Sequence, residues 1–180
     1  FCDDASLLKQ AAEIYSQDKY PTKFSLYLNQ RSTKKEKIRI AYFSPDFKSH
    51  PVSLITAELF EIHNRQKFEV FAFSLQRAPV GDEINLRLRR AFDTYLEVDS
   101  MPDKEIAQLA REYEIDIAID LAGFTQNSRT GIFSYRAAPI QVNWLGYPGT
   151  IGANFIDYIV ADKTIIPESH QQFYTDRKST

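Results

Sequence analysis

The chain has 180 residues, a formal net charge of -2 and 43% hydrophobic residues, enough for one ordinary domain with a sizeable core. This charge balance argues against a strongly basic surface of the kind that binds nucleic acids or anionic membranes. A single cysteine, Cys2, excludes an internal disulfide framework and a zinc site built from cysteines. Apolar runs stop well short of the roughly 18 residues of a membrane span. We therefore expect a cytoplasmic protein that binds neither nucleic acid nor membrane.

The first element in chain order is a helix. It is predicted over Ala5–Ser16, with Asp3 or Asp4 as its N-cap, from one apolar stripe: Leu7, Leu8, Ala11, Ala12, Ile14 and Tyr15. The polar stretch Asn29–Lys37 then predicts a boundary. We expect residues 1–36 to be a helical linker segment and residues 37–180 to be the main domain.

From Ile38 onward, strands and helices alternate. Six strands are predicted: Ile38–Phe43, Phe68–Phe73, Thr94–Val98, Ile115–Leu121, Ile140–Leu145 and Tyr158–Val160. Apolar spacing predicts the helices between them: Val52–Ile62, Ile84–Phe92, Ile106–Tyr113 and a brief piece at Ile132–Tyr135. This alternation predicts an α/β fold with a doubly wound, parallel, Rossmann-like sheet.

Three loops that follow strands carry unusual residues. They are Ser44–Pro51 after the first strand, Gly123–Arg129 after the fourth and Gly146–Gly152 after the fifth. Ligands of open α/β sheets bind outside the carboxyl ends of the strands. If the sheet is parallel, all three loops therefore lie on one rim and form the candidate site.

Several common site classes are disfavoured by these loops. The first loop contains no glycine, so it matches neither the Gly-x-Gly-x-x-Gly dinucleotide fingerprint nor a P-loop. A Gly-x-Ser-x-Gly nucleophile elbow is also missing from the sequence. The three histidines, His50, His63 and His170, are scattered, so no metal-ligand spacing emerges. We expect no metal site and no cofactor.

The first loop offers an acid–base candidate. His50 stands just before Pro51, a residue suited to the first helical turn, so its imidazole either caps the helix or handles a proton. Asp46 either orients His50, acts as a carboxylate base or only forms a turn. His63, after the helix, is predicted to lie on the surface.

The other two loops each allow a structural and a functional interpretation. Asp120, near the end of a strand that looks buried, is either a hydrogen-bond anchor or a site residue, and an anchor is favoured. Arg129 either meets a phosphate or carboxylate or is simply solvated. In Gly146–Thr150 the glycines permit tight turns and close approach of a ligand, or merely reverse the chain.

Three motifs in these loops resemble the O-linked N-acetylglucosamine transferase family, which includes SPINDLY-type proteins and bacterial relatives. They are Ile40–Phe47 followed by His50 and Pro51, then Asp120–Thr125, then Ala138–Thr150. Lys67–Val70 and Asp157–Val160 also look like the family, and the match covers about Ile38–Tyr174.

The resemblance implies a GT-B fold of two lobes that follows tetratricopeptide repeats. It also implies transfer of a sugar from a nucleotide donor such as UDP-GlcNAc to Ser or Thr of proteins, with inversion and without a metal. This chain would be the N-terminal lobe of the catalytic region. We expect it to be inactive in isolation, because the second lobe would hold the diphosphate and nucleobase.

The resemblance also implies roles for residues of the loops. His50 matches a histidine beside the donor sugar, suggested as base or as donor-binding group, and Asp46 matches an aspartate proposed in proton transfer. Matching substrate-binding positions are Pro51, Thr125, Arg129, Gly146, Tyr147, Pro148, Gly149 and Thr150. A second histidine common in the family is Leu54 here.

The sequence leaves two alternatives to this function open. One is a related transferase that uses GDP-fucose, or that moves glucose to asparagine. The other is a module that binds a peptide or partner protein without catalysis.

Overall fold

The computed structural model describes residues 4–22 and 36–179. Over these two ranges the helices are α1 (Ala5–Lys19), α2 (Pro51–Ile62), α3 (Glu83–Ala91), α4 (Asp103–Glu112) and α5 (Gly131–Ser134), with a 3₁₀ helix at Glu168–Phe173. The strands are β1 (Ile38–Ser44), β2 (Phe68–Ser74), β3 (Thr94–Glu97), β4 (Ile117–Asp120), β5 (Ile140–Trp144), β6 (Tyr158–Val160) and β7 (Arg177–Ser179).

The boundary predicted around Asn29–Lys37 falls mostly on residues 23–35, outside the described ranges. The division into a linker and a lobe therefore stays a prediction. Cys2 and Asp3 also lie outside the described ranges, and Asp4 caps α1 by accepting hydrogen bonds from the backbone N–H groups of Ser6 and Leu7. None of the helices in the described part of the chain is long and apolar enough to cross a membrane.

All strands join one parallel sheet in the order β3-β2-β1-β4-β5-β6-β7. The predicted α/β class and the six predicted strands are confirmed. Sequence analysis missed β7 and the 3₁₀ helix, because Arg177-Lys178-Ser179 has none of the apolar pattern that marks a strand. The chain adds β2 and β3 on one side of β1 and β4 to β7 on its other side. The connections therefore diverge between β1 and β4, which creates a crevice at that point of the rim.

The helices cover both faces of the sheet. On one face α2 and α3 contribute buried apolar side chains: Ala57, Phe60, Leu88 and Ala91. On the other face α4 and α5 contribute Ile106, Ala107, Ala110, Ile132 and Phe133. There Phe43 of β1 stacks on Phe73 of β2 with ring centroids 4.5 Å apart. Each fully buried Phe contributes on the order of 2–3 kcal/mol, so these layers supply the core.

Helix α1 packs differently from its sequence pattern. Of the predicted apolar stripe only Ala12 is buried, and the large residues Leu7, Leu8, Ile14 and Tyr15 are exposed. The packed face is formed by small residues: Ala12 and Ser16 are buried, and the Ser16 hydroxyl donates to the carbonyl of Ile151 at 2.5 Å. The backbone of α1 approaches Gly152 so closely that a Cβ there would lie 2.5 Å from the carbonyl carbon of Ala12. A bulky side chain on this face of α1 would prevent that contact.

We predict that Gly152→Ala detaches α1 and lowers the free energy of unfolding by roughly 2–5 kcal/mol, since it adds both a clash and left-handed strain. The matched control is Gly81→Ala, because Gly81 also has positive φ (82°) but no atom within 4 Å of the added Cβ. It should cost only the strain, roughly 1–2 kcal/mol. Urea unfolding measures both, and equal losses would contradict the close packing of α1.

Candidate functional site

The three candidate loops follow neighbouring strands. β1, β4 and β5 lie side by side and parallel, so their carboxyl ends share one rim. The loops after Ser44, Asp120 and Trp144 are therefore adjacent, as predicted, and the crevice between β1 and β4 lies among them.

His50 in the first loop caps helix α2. Its backbone is extended, Pro51 occupies the first helical turn, and Nδ1 accepts a hydrogen bond from the N–H of Val52 at 3.3 Å. The Asp46 Oδ2 lies 3.8 Å from this Nδ1, beyond hydrogen-bond distance, and Lys48 Nζ is 3.8 Å from the other carboxylate oxygen. The predicted cap is therefore present, and Asp46 lies beside the ring, while a role of His50 in proton transfer stays a prediction.

The cap has a consequence for the chemistry of His50. A nitrogen that accepts the Val52 N–H carries no proton, so the neutral ring carries its proton on Nε2. In that tautomer the outer nitrogen is a hydrogen-bond donor and has no lone pair for a proton. The arrangement suits binding of a substrate oxygen better than removal of a proton.

The second loop is held by hydrogen bonds of its own. Asp120 Oδ1 accepts from the N–H of Ala122 at 2.9 Å, and the Thr125 hydroxyl donates to the carbonyl of Ala122 at 3.0 Å. The buried Thr130 hydroxyl donates to the carbonyl of Gly123 at 3.0 Å. Asp120 is thus a hydrogen-bond anchor, the interpretation that the sequence favoured.

Arg129 ties this loop to α4 and the turn before it. Its Nε donates to Asp103 Oδ1 at 2.8 Å, and its terminal nitrogens donate to the carbonyls of Met101 at 2.6 Å and Val98 at 3.4 Å. The guanidinium is thus paired within the protein, with its side chain 21% exposed. Its contact with a substrate stays a prediction.

The third loop turns sharply after β5. Leu145 adopts a left-handed backbone with φ of 70°, and a Cβ on Gly146 would lie 2.2 Å from the carbonyl oxygen of Leu121. Glycine is therefore required at position 146, because the third loop touches the backbone that follows β4. The Asn143 side-chain N–H donates to the carbonyl of Tyr147 at 3.1 Å and stabilises the turn.

The end of the third loop is fixed by the segment before β7. The buried Thr150 hydroxyl donates to Asp176 Oδ2 at 2.8 Å and lies 2.9 Å from the Thr175 hydroxyl. The Tyr174 hydroxyl donates to the carbonyl of Pro148 at 2.9 Å. Thr150 therefore holds the loop in place with its hydroxyl.

The comparisons with known proteins match this architecture. The sequence model of glycosyl transferase family 41 matches residues 9–179. The chain belongs to glycosyl transferase family 41. A solved structure of a mutant O-GlcNAc transferase from Thermobaculum terrenum is similar with a TM-score of 0.80 and 30% identity, covering 97% of this chain and 33% of that one.

Curated relatives agree with this membership. The chain is 37% identical over 142 residues to an Arabidopsis thaliana protein named probable UDP-N-acetylglucosamine–peptide N-acetylglucosaminyltransferase SEC, matching 79% of this chain and 14% of that protein. It is 35% identical over 145 residues to the UDP-N-acetylglucosamine–peptide N-acetylglucosaminyltransferase of Caenorhabditis elegans, matching 79% and 12%. The chain thus spans a small part of these relatives.

Aromatic side chains form a feature of the rim that sequence analysis of this family 41 chain missed. Phe124 contacts Tyr147 at a ring-centroid distance of 5.4 Å and Tyr15 at 5.2 Å, and Tyr15 contacts Tyr20 at 6.0 Å. Two of these rings come from α1 and its C-terminal cap, and one comes from each of the second and third loops. The sequence holds no signal for this meeting, because the helix and loops are more than 100 residues apart.

The prediction that His63 lies on the surface is wrong. His63 is half-buried, because its Nε2 forms a 2.9 Å hydrogen bond with the hydroxyl of buried Tyr42. Burial lowers the pKa of His63, with Arg65 adding to that effect. His63 belongs to the packing at the far end of α2 and not to the rim.

The structure of the family 41 chain brings every predicted site residue to the same rim. Their roles toward substrate stay predictions. Several also have structural tasks within the protein, among them Arg129, Thr150 and, as a helix cap, His50. Within the described ranges, no group of three or more His, Cys, Asp or Glu side chains could hold a metal ion.

We predict that Arg129→Met lowers the free energy of unfolding by roughly 2 kcal/mol, because it leaves Asp103 and two carbonyls without their charged donor. The control is Arg77→Met, which removes the exposed Arg77–Asp99 pair and should change stability by less than about 0.5 kcal/mol. Urea unfolding compares them. Equal stability of the two variants would contradict the structural role of Arg129.

Proposed function

We propose that this chain is the N-terminal catalytic lobe of a protein O-glycosyltransferase that moves N-acetylglucosamine from UDP-GlcNAc to Ser or Thr hydroxyls. The strongest support is the similarity to proteins named UDP-N-acetylglucosamine–peptide N-acetylglucosaminyltransferases over 79% of the chain. The meeting of all three family motifs on one rim supports it independently.

The proposed reaction is a single displacement. The acceptor oxygen bonds to the anomeric carbon, the bond from that carbon to the diphosphate breaks, and the hydroxyl proton passes to a base. The configuration inverts, the nucleotide sugar is a substrate, and the proposed step uses neither a metal nor a separate cofactor. A second lobe, tetratricopeptide repeats and a cytoplasmic location are parts of the same proposal.

Within this scheme we assign His50 to donor binding. Its Nδ1 is occupied by the Val52 N–H, so Nε2–H is the group that can reach a sugar or phosphate oxygen. The His50 side chain is 38% exposed, while the neighbouring Asp46 side chain is 16% exposed. The Asp46 Oδ2 lies 3.8 Å from Nδ1, beyond hydrogen-bond distance, so the carboxylate is not bonded to the ring.

We predict that the complete protein containing this chain transfers GlcNAc from UDP-GlcNAc to a Ser/Thr peptide, while this chain alone does not. Transfer is measured by mass spectrometry with UDP-GlcNAc, UDP-glucose and GDP-fucose in parallel. Preference for UDP-glucose or GDP-fucose would replace the proposed donor. No transfer with any donor, together with no calorimetric nucleotide binding, would favour a protein-binding module instead.

A second prediction concerns His50→Asn in the complete protein. Asn caps helices well, so the fold should keep its stability while the Nε2 donor is lost and turnover falls by roughly 100-fold or more. His50→Ala loses the cap as well, which should cost roughly 1 kcal/mol of stability in addition. Thermal unfolding and steady-state turnover are measured on both, and full turnover in His50→Asn would contradict the assignment.

Asp46→Asn separates the two roles of His50. If His50 binds the donor, this variant should lose less than about tenfold in turnover, because no proton passes between the two side chains. If the two form an acid–base pair, the loss should reach roughly 100-fold or more.

A further inference from the structure

Two buried oxygen atoms at the rim have no hydrogen-bond partner. They are Oδ2 of Asp120, at the end of β4, and Oδ1 of Asn143, in β5. Both residues are almost completely buried, at 1% and 0% exposed. An unpaired buried acceptor costs roughly 1–3 kcal/mol, so two of them in one place call for an explanation.

The two oxygens belong to neighbouring side chains. Asp120 and Asn143 are register partners in the parallel pairing of β4 with β5, so their side chains leave the sheet on the same face. Gly123 lies beside both side chains: its backbone N–H is close enough to the Asp120 carboxyl to lower the carboxyl pKa, and a Cβ built on it would lie 3.3 Å from Asn143 Oδ1. Both side chains are therefore neighbours of the same glycine.

The other atoms of the two side chains are already committed. Asp120 Oδ1 accepts from the Ala122 N–H, and the Asn143 amide nitrogen donates to the carbonyl of Tyr147. Flipping the Asn143 amide would turn its oxygen toward that carbonyl, leaving two acceptors face to face. The remaining way to pair both orphan oxygens within the protein is a proton between them.

We propose that in mildly acidic solution Asp120 is protonated in the folded chain, and that its Oδ2–H then donates to Asn143 Oδ1, which joins the second and third loops of the site. Asp120 and Asn143 are then positioning residues. One neutral hydrogen bond holds the turn at Ala122 and, through the Asn143 amide, the turn at Tyr147.

The surroundings favour the neutral carboxyl. Burial is the largest cause that raises the pKa of Asp120, to about 6 from the usual 3.8, although the N–H groups of Ala122 and Gly123 lower it. The titratable and charged groups packed around this part of the rim are the phenols of Tyr20 and Tyr147 and the Asp103–Arg129 ion pair.

None of these groups offers a positive charge that would hold Asp120 ionised. Burial raises the pKa of Tyr20 to about 12, with smaller effects from Asp103 and Asp120, and it also raises the pKa of Tyr147. Both phenols are therefore neutral near pH 7. The Arg129 guanidinium is paired with Asp103, and the β1 residue in register with Asp120 is Phe43.

The folded chain should bind this proton roughly 100-fold more tightly than the unfolded chain, because the carboxyl pKa is raised from 3.8 to about 6. The proton therefore stabilises the fold at low pH. That stabilisation is lost as the pH rises from about 4 to about 6 and stays lost above that.

The decisive variant is Asp120→Asn. Its amide oxygen can accept from Ala122 and its amide N–H can donate to Asn143, so it reproduces the neutral pair without a titrating proton. The control is Asp162→Asn: Asp162 Oδ1 accepts from the N–H two residues on, as Asp120 does, but Asp162 is exposed. Urea unfolding of the 180-residue chain is measured from pH 4.5 to 8 for all three proteins.

We expect the stability of the unmodified chain relative to Asp120→Asn to fall as the pH rises toward 6, while Asp162→Asn follows the unmodified chain. In ¹³C NMR the Asp120 carboxyl should titrate near pH 6, and the amides of Gly123 and Tyr147 should shift with the same midpoint. In Asp120→Asn those two amides should stay constant over this range.

Two results would overturn the proposal. One is an Asp120 carboxyl that titrates near its usual value, and the other is a Tyr147 amide that ignores the Asp120 midpoint. Neither readout uses enzymatic activity, so the inference about this pair can fail or hold separately from the proposed transferase function.

Discussion

Strand β1 pairs in parallel on both of its sides, with β2 on one side and β4 on the other. Parallel neighbours need crossover connections, so the helices on the two sides of β1 are carried to opposite faces of the sheet. The loops after β1 and β4 therefore diverge above a crevice, and the loop after β5 follows beside them. The location of the candidate site is a consequence of this pairing.

The loops around the crevice are braced by the protein itself. Arg129 binds the second loop to α4, Thr150 binds the third loop to the segment before β7, and Gly146 lets the third loop touch the backbone after β4. Such bracing reduces the conformational entropy that a bound substrate would otherwise have to remove. Arg129 and Thr150 thus have an identified task even without a substrate contact.

Helix α1 packs on the domain through small side chains and leaves its large apolar side chains exposed. It is attached through small residues at Ala12 and Ser16, while Leu7 and Ile14 are exposed. At its C-terminal end, Tyr15 contacts Phe124 of the second loop, and Tyr20 contacts Tyr15. A helix far from the rim in sequence thereby becomes part of its wall.

The fold class, the six main strands and the rim on which the candidate residues meet could all be predicted from the sequence, because alternating apolar runs and parallel connections dictate these features. The motifs of family 41 are also readable in the sequence. Three features could not be predicted from it: which face of α1 packs, where His63 lies, and which atoms of His50, Arg129 and Asp120 are occupied. These depend on side-chain contacts between segments distant in the chain, as between Asp120 and Asn143, and local spacing carries no information about such contacts.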